Sequence, residues 1–280
     1  MGAFKQAARR TITWIPKSRL LAAYCRFYCE YCGDSTPTIT SDPTTNGELR
    51  FVREAAPYLD VVLDVGANVG DWTASVLELR PTATVHAFEP STSAHHALLR
   101  RGFPDNVTVH KVALSSRTGT APLHIFGEAS GLNSLHNRFG LEDGYGIPPA
   151  TQTEEAKLVT ADEFCMNYGL QRVDLMKVDT EGHEVDVLHG SVQSLKSGII
   201  RRVQFEYGGT YIDSRRFLKD AFDVFAGLDY VMFRIVPDGL IACPRYDQRI
   251  ETFQYNNFVA IRSDLINESP SAGKALQRSQ

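Results

Sequence analysis

The strongest constraint on the fold is an alternation of short apolar runs with helical stretches, in which the apolar runs end in acids. The first run is Val61-Val62-Leu63-Asp64-Val65-Gly66-Ala67-Asn68-Val69-Gly70-Asp71-Trp72, and the next is Val85-His86-Ala87-Phe88-Glu89-Pro90. Continuous apolar runs suit strands buried on both faces, and such strands separated by helices call for a parallel sheet covered by helices. The spacing predicts strands over 61–65, 83–88, 107–112, 173–179, 202–206, 230–236 and 257–262. Helices are expected over 48–59, 70–79, 91–101, 161–168, 183–196 and 214–226, and residues 119–126 read as an edge strand because of Pro122. The class is α/β.

At 280 residues with 43% hydrophobic content, the chain can build one large α/β domain with an appendage. A net charge of −4 gives no global reason to expect nucleic acid as a partner. Residues 1–47 read as a basic, helical N-terminal extension, residues 48–266 as the main domain and residues 267–280 as a polar, disordered tail. Within residues 1–29, Lys5, Arg9, Arg10, Lys17, Arg19 and Arg26 occur without any acid, beside Trp14, Ile15, Leu20, Leu21, Tyr24 and Phe27. This stretch suits either packing against the main domain or weak contact with an anionic membrane surface. No apolar run is long enough to cross a bilayer and none reads as a secretory leader, so a cytoplasmic location is expected. The spacing Cys25, Cys29, Cys32 resembles the cluster loop of radical enzymes, but it also places three small apolar side chains on one helix face.

The turn after the first strand decides the cofactor chemistry. A dinucleotide site needs G-x-G-x-x-G, so that backbone N–H groups at a helix N-terminus meet a pyrophosphate. Here the turn is D-x-G-x-N-x-G, with Asp64 ahead of the first glycine and Asn68 in place of another. A carboxylate there repels pyrophosphate and suits a cation, which favours S-adenosylmethionine, a sulfonium with an α-ammonium group, over NAD. Gly66 and Gly70 allow a tight turn and close approach of backbone to ligand, and Glu89 at the next strand tip can hold a ribose diol.

Asp179-Thr180-Glu181-Gly182-His183-Glu184 ends a later strand and opens a helix, and Glu206 ends the one after it. Ligands in open α/β sheets bind beyond the carboxyl ends of strands, so Asp179, Glu181, His183 and Glu206 should share a crevice with Asp64 and Glu89. Asp179 or His183 could act as general base with Glu206 as a second carboxylate. Alternatively Asp179, Glu181 and Glu206 could hold a hard divalent cation. Glu184 fits a dipole role at the helix N-terminus. His86, His95, His96, His110, His124, His136 and His189 lack metal-ligand spacing and read as structural or surface residues. Residues 127–150, rich in Gly, Asn and Pro, lie where a substrate lid would sit.

The ordered succession Leu63-Asp64-Val65-Gly66-Ala67-Asn68-Val69-Gly70, Phe88-Glu89-Pro90, Val112-Ala113-Leu114-Ser115, Lys177-Val178-Asp179-Thr180-Glu181-Gly182-His183-Glu184, Val187-Leu188-His189-Gly190 and Gln204-Phe205-Glu206-Tyr207 resembles the FkbM family of S-adenosylmethionine-dependent methyltransferases. The resemblance covers about residues 48–262. It implies a Rossmann-like class I methyltransferase fold, with a seven-stranded, mostly parallel sheet, an antiparallel last strand and helices on both faces. It also implies O-methylation of a hydroxyl on a sugar, glycan or other natural-product acceptor. On this resemblance Asp64, Gly66, Asn68 and Gly70 would line the methionine and ribose part of the site, Glu89 would bind the ribose hydroxyls, and Ala113, Leu114 and Ser115 would flank adenine. Thr180 stands where many relatives carry an aliphatic residue. The other readings are an NAD-dependent oxidoreductase acting on a sugar nucleotide and a non-catalytic membrane-peripheral module.

Overall fold

The computed structural model describes residues 41–139, 141–142, 146–150 and 152–279. The basic stretch over residues 1–29 and Cys25, Cys29 and Cys32 lie outside the described residues. Strands in chain order are β1 (Val61–Val65), β2 (Thr84–Phe88), β3 (Val107–His110), β4 (Ala113–Leu114), β5 (Gly119–Ile125), β6 (Gln152–Val159), β7 (Leu175–Val178), β8 (Arg202–Tyr207), β9 (Tyr230–Val236), β10 (Gly239–Ala242) and β11 (Asn256–Arg262). Helices are α1 (Glu48–Ala55), α2 (Asp71–Leu79), α3 (Thr92–Arg100), α4 (Ala161–Asn167), α5 (Glu184–His189), α6 (Val192–Lys196), α7 (Thr210–Ser214), α8 (Leu218–Phe225) and α9 (Pro270–Ser279).

The main sheet has the order β10-β9-β11-β8-β7-β1-β2-β3. Strands β3, β2, β1, β7 and β8 run parallel, while β11 is antiparallel to both β8 and β9. This is the Rossmann-like class I methyltransferase arrangement, with the last strand inserted antiparallel. The sheet has eight strands rather than seven, because the chain turns back after β9 through Pro237 and Asp238 and adds β10 at the edge. A four-residue strand behind a short turn leaves almost no periodicity to read.

Side chains alternate across this sheet. On one face Val62, Val85, Leu175, Phe233 and Val259 pack against Phe51 and Val52 of α1, Trp72 and Val76 of α2, and Ala272 and Ala275 of α9. On the other, Leu63, Phe88, Met176, Val203 and Phe258 meet Phe164 of α4, Val185 and Leu188 of α5, and Phe222 of α8. Each fully buried Leu, Val or Phe contributes about 1.5–3 kcal/mol. Two such layers fix the strand ends at one edge of the sheet.

Several boundaries differ from the sequence expectation. The helix expected over 183–196 is split into α5 and α6 at Gly190, where a Cβ would lie 2.0 Å from Ser115 O. The helix expected over 214–226 begins only at Leu218, as α8, because Arg215 ends the preceding α7 in a left-handed conformation at φ 56°. Strand β5 is an edge, as Pro122 requires, but of a separate three-stranded sheet ordered β4-β6-β5. The tail is not disordered over its described part: α9 docks two buried alanines, Ala272 and Ala275, against the sheet face. Alanines at i and i+3 make a narrow stripe that a polar composition conceals. None of the described helices is long and apolar enough to cross a membrane.

Candidate active site

A crevice of about 550 Å³, counted out to its open mouth, lies beyond the carboxyl ends of β1, β2 and β7. Gly66 builds its floor. Its φ is 81°, and a Cβ there would lie 1.8 Å from Asp179 O, so only glycine lets the ends of β1 and β7 come this close. Asn68 follows in a left-handed conformation at φ 47°, which its short polar side chain tolerates. That twist aims the Asn68 N–H at Glu89 Oε2, 2.9 Å away, while Ser91 N–H donates to Glu89 Oε1 at 2.8 Å. Glu89 is thus held at both oxygens and faces the crevice. A carboxylate has about four acceptor sites, so two remain for a diol. Burial pushes the Glu89 carboxyl up to about 7.

Ala113 and Leu114 supply the apolar wall, and Ser115 sits behind them, buried. Gly66, Asn68, Glu89, Ala113, Leu114, Asp179, Glu181 and His183 all line the crevice. Asp64, Gly70, Ser115 and Glu206 do not. Asp64 projects from the opposite face of the sheet, fully buried, with Oδ2 accepting from Thr73 Oγ1 at 2.6 Å. Gly70 is a packing glycine at the start of α2, where a Cβ would lie 2.5 Å from Leu98 Cδ1.

Three carboxylates converge beside the crevice: one oxygen from each of Asp179, Glu181 and Glu206 lies within 4.8 Å of the other two. Such an all-oxygen set has the chemistry to hold a hard divalent cation. Glu181 adopts φ 55°, a strained conformation that persists because its backbone oxygen accepts from Ser134 Oγ at 2.7 Å and its Oε2 from Arg138 Nη1 at 2.6 Å. Burial, reinforced by the Asp179 charge, raises the Glu181 carboxyl to about 8. Burial raises Glu206 well above the usual carboxylate range, with Asp179, Glu181 and Glu184 adding repulsion. Glu184 instead folds onto its own turn, where Oε1 accepts from Thr180 N–H at 2.8 Å and Gly182 N–H at 3.1 Å.

Lys177 was not among the expected site residues, yet its ammonium sits between the acids. Its Nζ donates to Asp179 Oδ2 at 3.0 Å and lies 3.9 Å from Asp64 Oδ1. The carboxylates Asp179, Asp64 and Glu48 hold it protonated against the desolvation of its site. The visible sign was an ammonium inside the buried strand Leu175-Met176-Lys177-Val178, which is costly unless paired.

His183 is placed in the crevice but poorly equipped as a base. Burial lowers it to about 4, its Nε2 pairs with Ser115 Oγ at 2.9 Å, and its Nδ1 pairs with His136 Nε2 at 3.1 Å. His136, expected to be structural or at the surface, therefore belongs to the wall of the site. His136, His183 and Asp186 also bring three ligand-type atoms within 4.8 Å of one another, although Arg216 already engages both Asp186 oxygens. The described part of residues 127–150 covers one side of the crevice through Ser130, Gly131, Asn133, Ser134 and Leu135. Arg138 anchors it to Glu181 and approaches Asp213, whose Oδ1 accepts from Phe139 N–H at 3.2 Å.

Residues 64–232 match the methyltransferase FkbM domain. The chain belongs to the FkbM methyltransferase family. Among the relatives of this FkbM-family chain, the 2-O-methyltransferase NoeI of Sinorhizobium fredii is 28% identical over 48% of the chain and 58% of its own length. The 31-O-demethyl-FK506 methyltransferase FkbM of Streptomyces tacrolimicus is 28% identical over 47% of the chain and 59% of its own length. The hexuronic acid methyltransferase AglP of Haloferax volcanii is 28% identical over 62% of the chain and 67% of its own length. The match thus spans less than two thirds of the first two relatives. The solved FkbM methyltransferase from Methylobacillus flagellatus superposes with a TM-score of 0.43 at 16% identity, over 72% of this chain and 43% of that one.

Proposed function

We propose that this FkbM-family chain is an S-adenosylmethionine-dependent O-methyltransferase acting on a hydroxyl of a small-molecule or glycan acceptor. The observation that carries the reading is Glu89, a buried carboxylate fixed by two backbone N–H groups at the tip of β2 and facing an apolar wall of Ala113 and Leu114. Ribose hydroxyls need an acceptor there, and adenine needs that wall. The cofactor supplies an electrophilic methyl group on a sulfonium. The chain supplies alignment, which accounts for most of the rate in such a transfer.

Among the acids, Asp179 is the proposed base. Its side chain is 33% exposed, so a substrate can reach it, and Lys177 fixes one of its oxygens. Burial and the neighbouring acids raise Glu206 well above the usual carboxylate range, and His183 has both ring nitrogens engaged. Asp179 would take the proton of the acceptor hydroxyl as that oxygen is methylated, the C–S bond breaking to leave the cofactor as a neutral thioether. Relatives whose names place their methyl groups on oxygen or on a hexuronic acid support a hydroxylated acceptor.

Glu89→Ala should abolish S-adenosylmethionine binding in calorimetry. Asp179→Asn should spare binding and lower turnover by roughly 10²–10⁴-fold, the range of general-base catalysis. Full activity of Asp179→Asn would remove the proposed base.

A further inference from the structure

Two segments far apart in the chain meet in the wall of the crevice through a set of ligand-type atoms that is chemically unlike the carboxylate set. His136 belongs to the covering segment before β6, whereas His183 and Asp186 belong to the start of α5. One ligand atom from each of the three lies within 4.8 Å of the other two. His136 Nε2 is 3.1 Å from His183 Nδ1, which in turn is 3.9 Å from Asp186 Oδ2. Two imidazoles on one zinc ion, each about 2.0–2.1 Å from it, hold their nitrogens roughly 3.0–3.5 Å apart.

The far side of each ligand is already held. His183 Nε2 pairs with the buried Ser115 Oγ at 2.9 Å, and an Nε2–H donated there turns the Nδ1 lone pair towards His136. His136 is set by its backbone N–H, which donates to Ser134 Oγ at 3.0 Å, while Ser134 Oγ–H donates to Glu181 O at 2.7 Å. Asp186 Oδ1 accepts from Ser116 Oγ at 3.0 Å, and Arg216 Nη2 spans Oδ1 and Oδ2 at 3.1 and 3.0 Å. These bonds use three of the carboxylate's roughly four acceptor sites and leave one on Oδ2. Arg216 therefore shares Asp186 with an ion rather than replacing it. Partners of this kind fix the tautomer and orientation of metal ligands. Burial disfavours protonation of both rings, so each can offer a lone pair.

We infer that His136, His183 and Asp186 form a binding site for a borderline divalent transition-metal ion, zinc in the first instance, which ties the covering segment to α5. Two imidazoles and one carboxylate suit such an ion, whereas magnesium and calcium prefer oxygen ligands. The two histidines exchange their mutual hydrogen bond for two metal bonds. The ring that donated that bond moves its proton to its far nitrogen, so no proton is lost from the pair. Three protein ligands leave a fourth tetrahedral position for water. Of the three residues His183 alone lines the crevice, and the site stands independently of the cofactor reading.

The test titrates the full chain, freed of metal by a chelator, with Zn²⁺ and with Mg²⁺ in calorimetry. A second protein carrying Cys25→Ser, Cys29→Ser and Cys32→Ser removes competing thiolates. Zn²⁺ should bind both proteins, at one saturable site in the serine variant, and Mg²⁺ should not compete for that site. In the serine background, His136→Ala should weaken Zn²⁺ by about tenfold or more, at least what loss of an outer partner costs a metal site. Asp186→Asn should act in the same direction and decides the matter if His136→Ala does not fold. Asp179→Asn should leave Zn²⁺ affinity unchanged. Zn²⁺ should also slow protease cleavage within residues 127–150, but not in His136→Ala. Absence of saturable Zn²⁺ binding in the serine variant, or binding unmoved by His136→Ala and Asp186→Asn, overturns the site. Zn²⁺ binding that leaves the cleavage rate unchanged overturns the tie between the covering segment and α5.

Discussion

Glu89 is both the best-anchored acid of the crevice and a reluctant one, since burial raises it to about 7. A ribose diol is bound by the carboxylate form, so a proton competes with the nucleoside. Affinity for S-adenosylhomocysteine should weaken as pH falls below about 7 and level off above it. Titrations at pH 6 and pH 8 check this, and Glu89→Gln should weaken binding and flatten the dependence. Gly66 makes the complementary point about backbone. At φ 81° and with Asp179 O where a Cβ would go, Gly66→Ala combines left-handed strain with a clash. It should lower unfolding stability by about 2 kcal/mol or more in denaturant titration. A loss below half that value would mean that the strand ends can part without cost.

At the scale of elements, the covering segment and the tail helix make separate predictions. The segment before β6 is pinned to the turn after β7 by Arg138, which is 9% exposed and pairs with Glu181. Arg138→Ala removes the ion-pair partner of the half-buried Glu181 and frees the segment, so protease cleavage within residues 127–150 should accelerate while the main sheet stays resistant. Unchanged cleavage would show that Ser134 and Phe139 hold the segment unaided. Helix α9 buries Ala272 and Ala275 against the sheet, and Ser271 accepts a place beside Glu54 of α1 through an Oγ–H donated to Oε1 at 2.6 Å. Removing residues 270–280 should cost about 2 kcal/mol of stability from lost apolar burial. A truncated chain as stable as the full one would contradict that docking.

At the scale of the molecule, the strands of the parallel part of the sheet were legible because buried parallel strands write themselves as apolar runs, and the acids at their tips stood out against them. The runs before Asp64, Glu89, Asp179 and Glu206 located four strand ends correctly. They did not tell which face each acid took. Alternation sends Asp64 and Glu89 different ways here: Asp64 stays within β1 and points under α2, whereas Glu89 lies just past β2 and turns into the crevice. Arg138 and His136 were illegible as site residues because their roles arise from contacts between distant segments, His136 with His183 and Arg138 with Glu181. The helix breaks at Gly190 and Arg215 were set by tertiary packing and a left-handed residue, which local propensity does not encode.

The proposed cofactor is a sulfonium nucleoside rather than a dinucleotide, because Asn68, which lines the crevice, stands where a phosphate-binding turn needs glycine. The direct measurement is a side-by-side titration of the full chain with S-adenosylmethionine and NAD. Saturable one-site binding of S-adenosylmethionine, with no saturable NAD binding over the same concentrations, is the predicted result. NAD binding as tight as or tighter than S-adenosylmethionine would contradict the account.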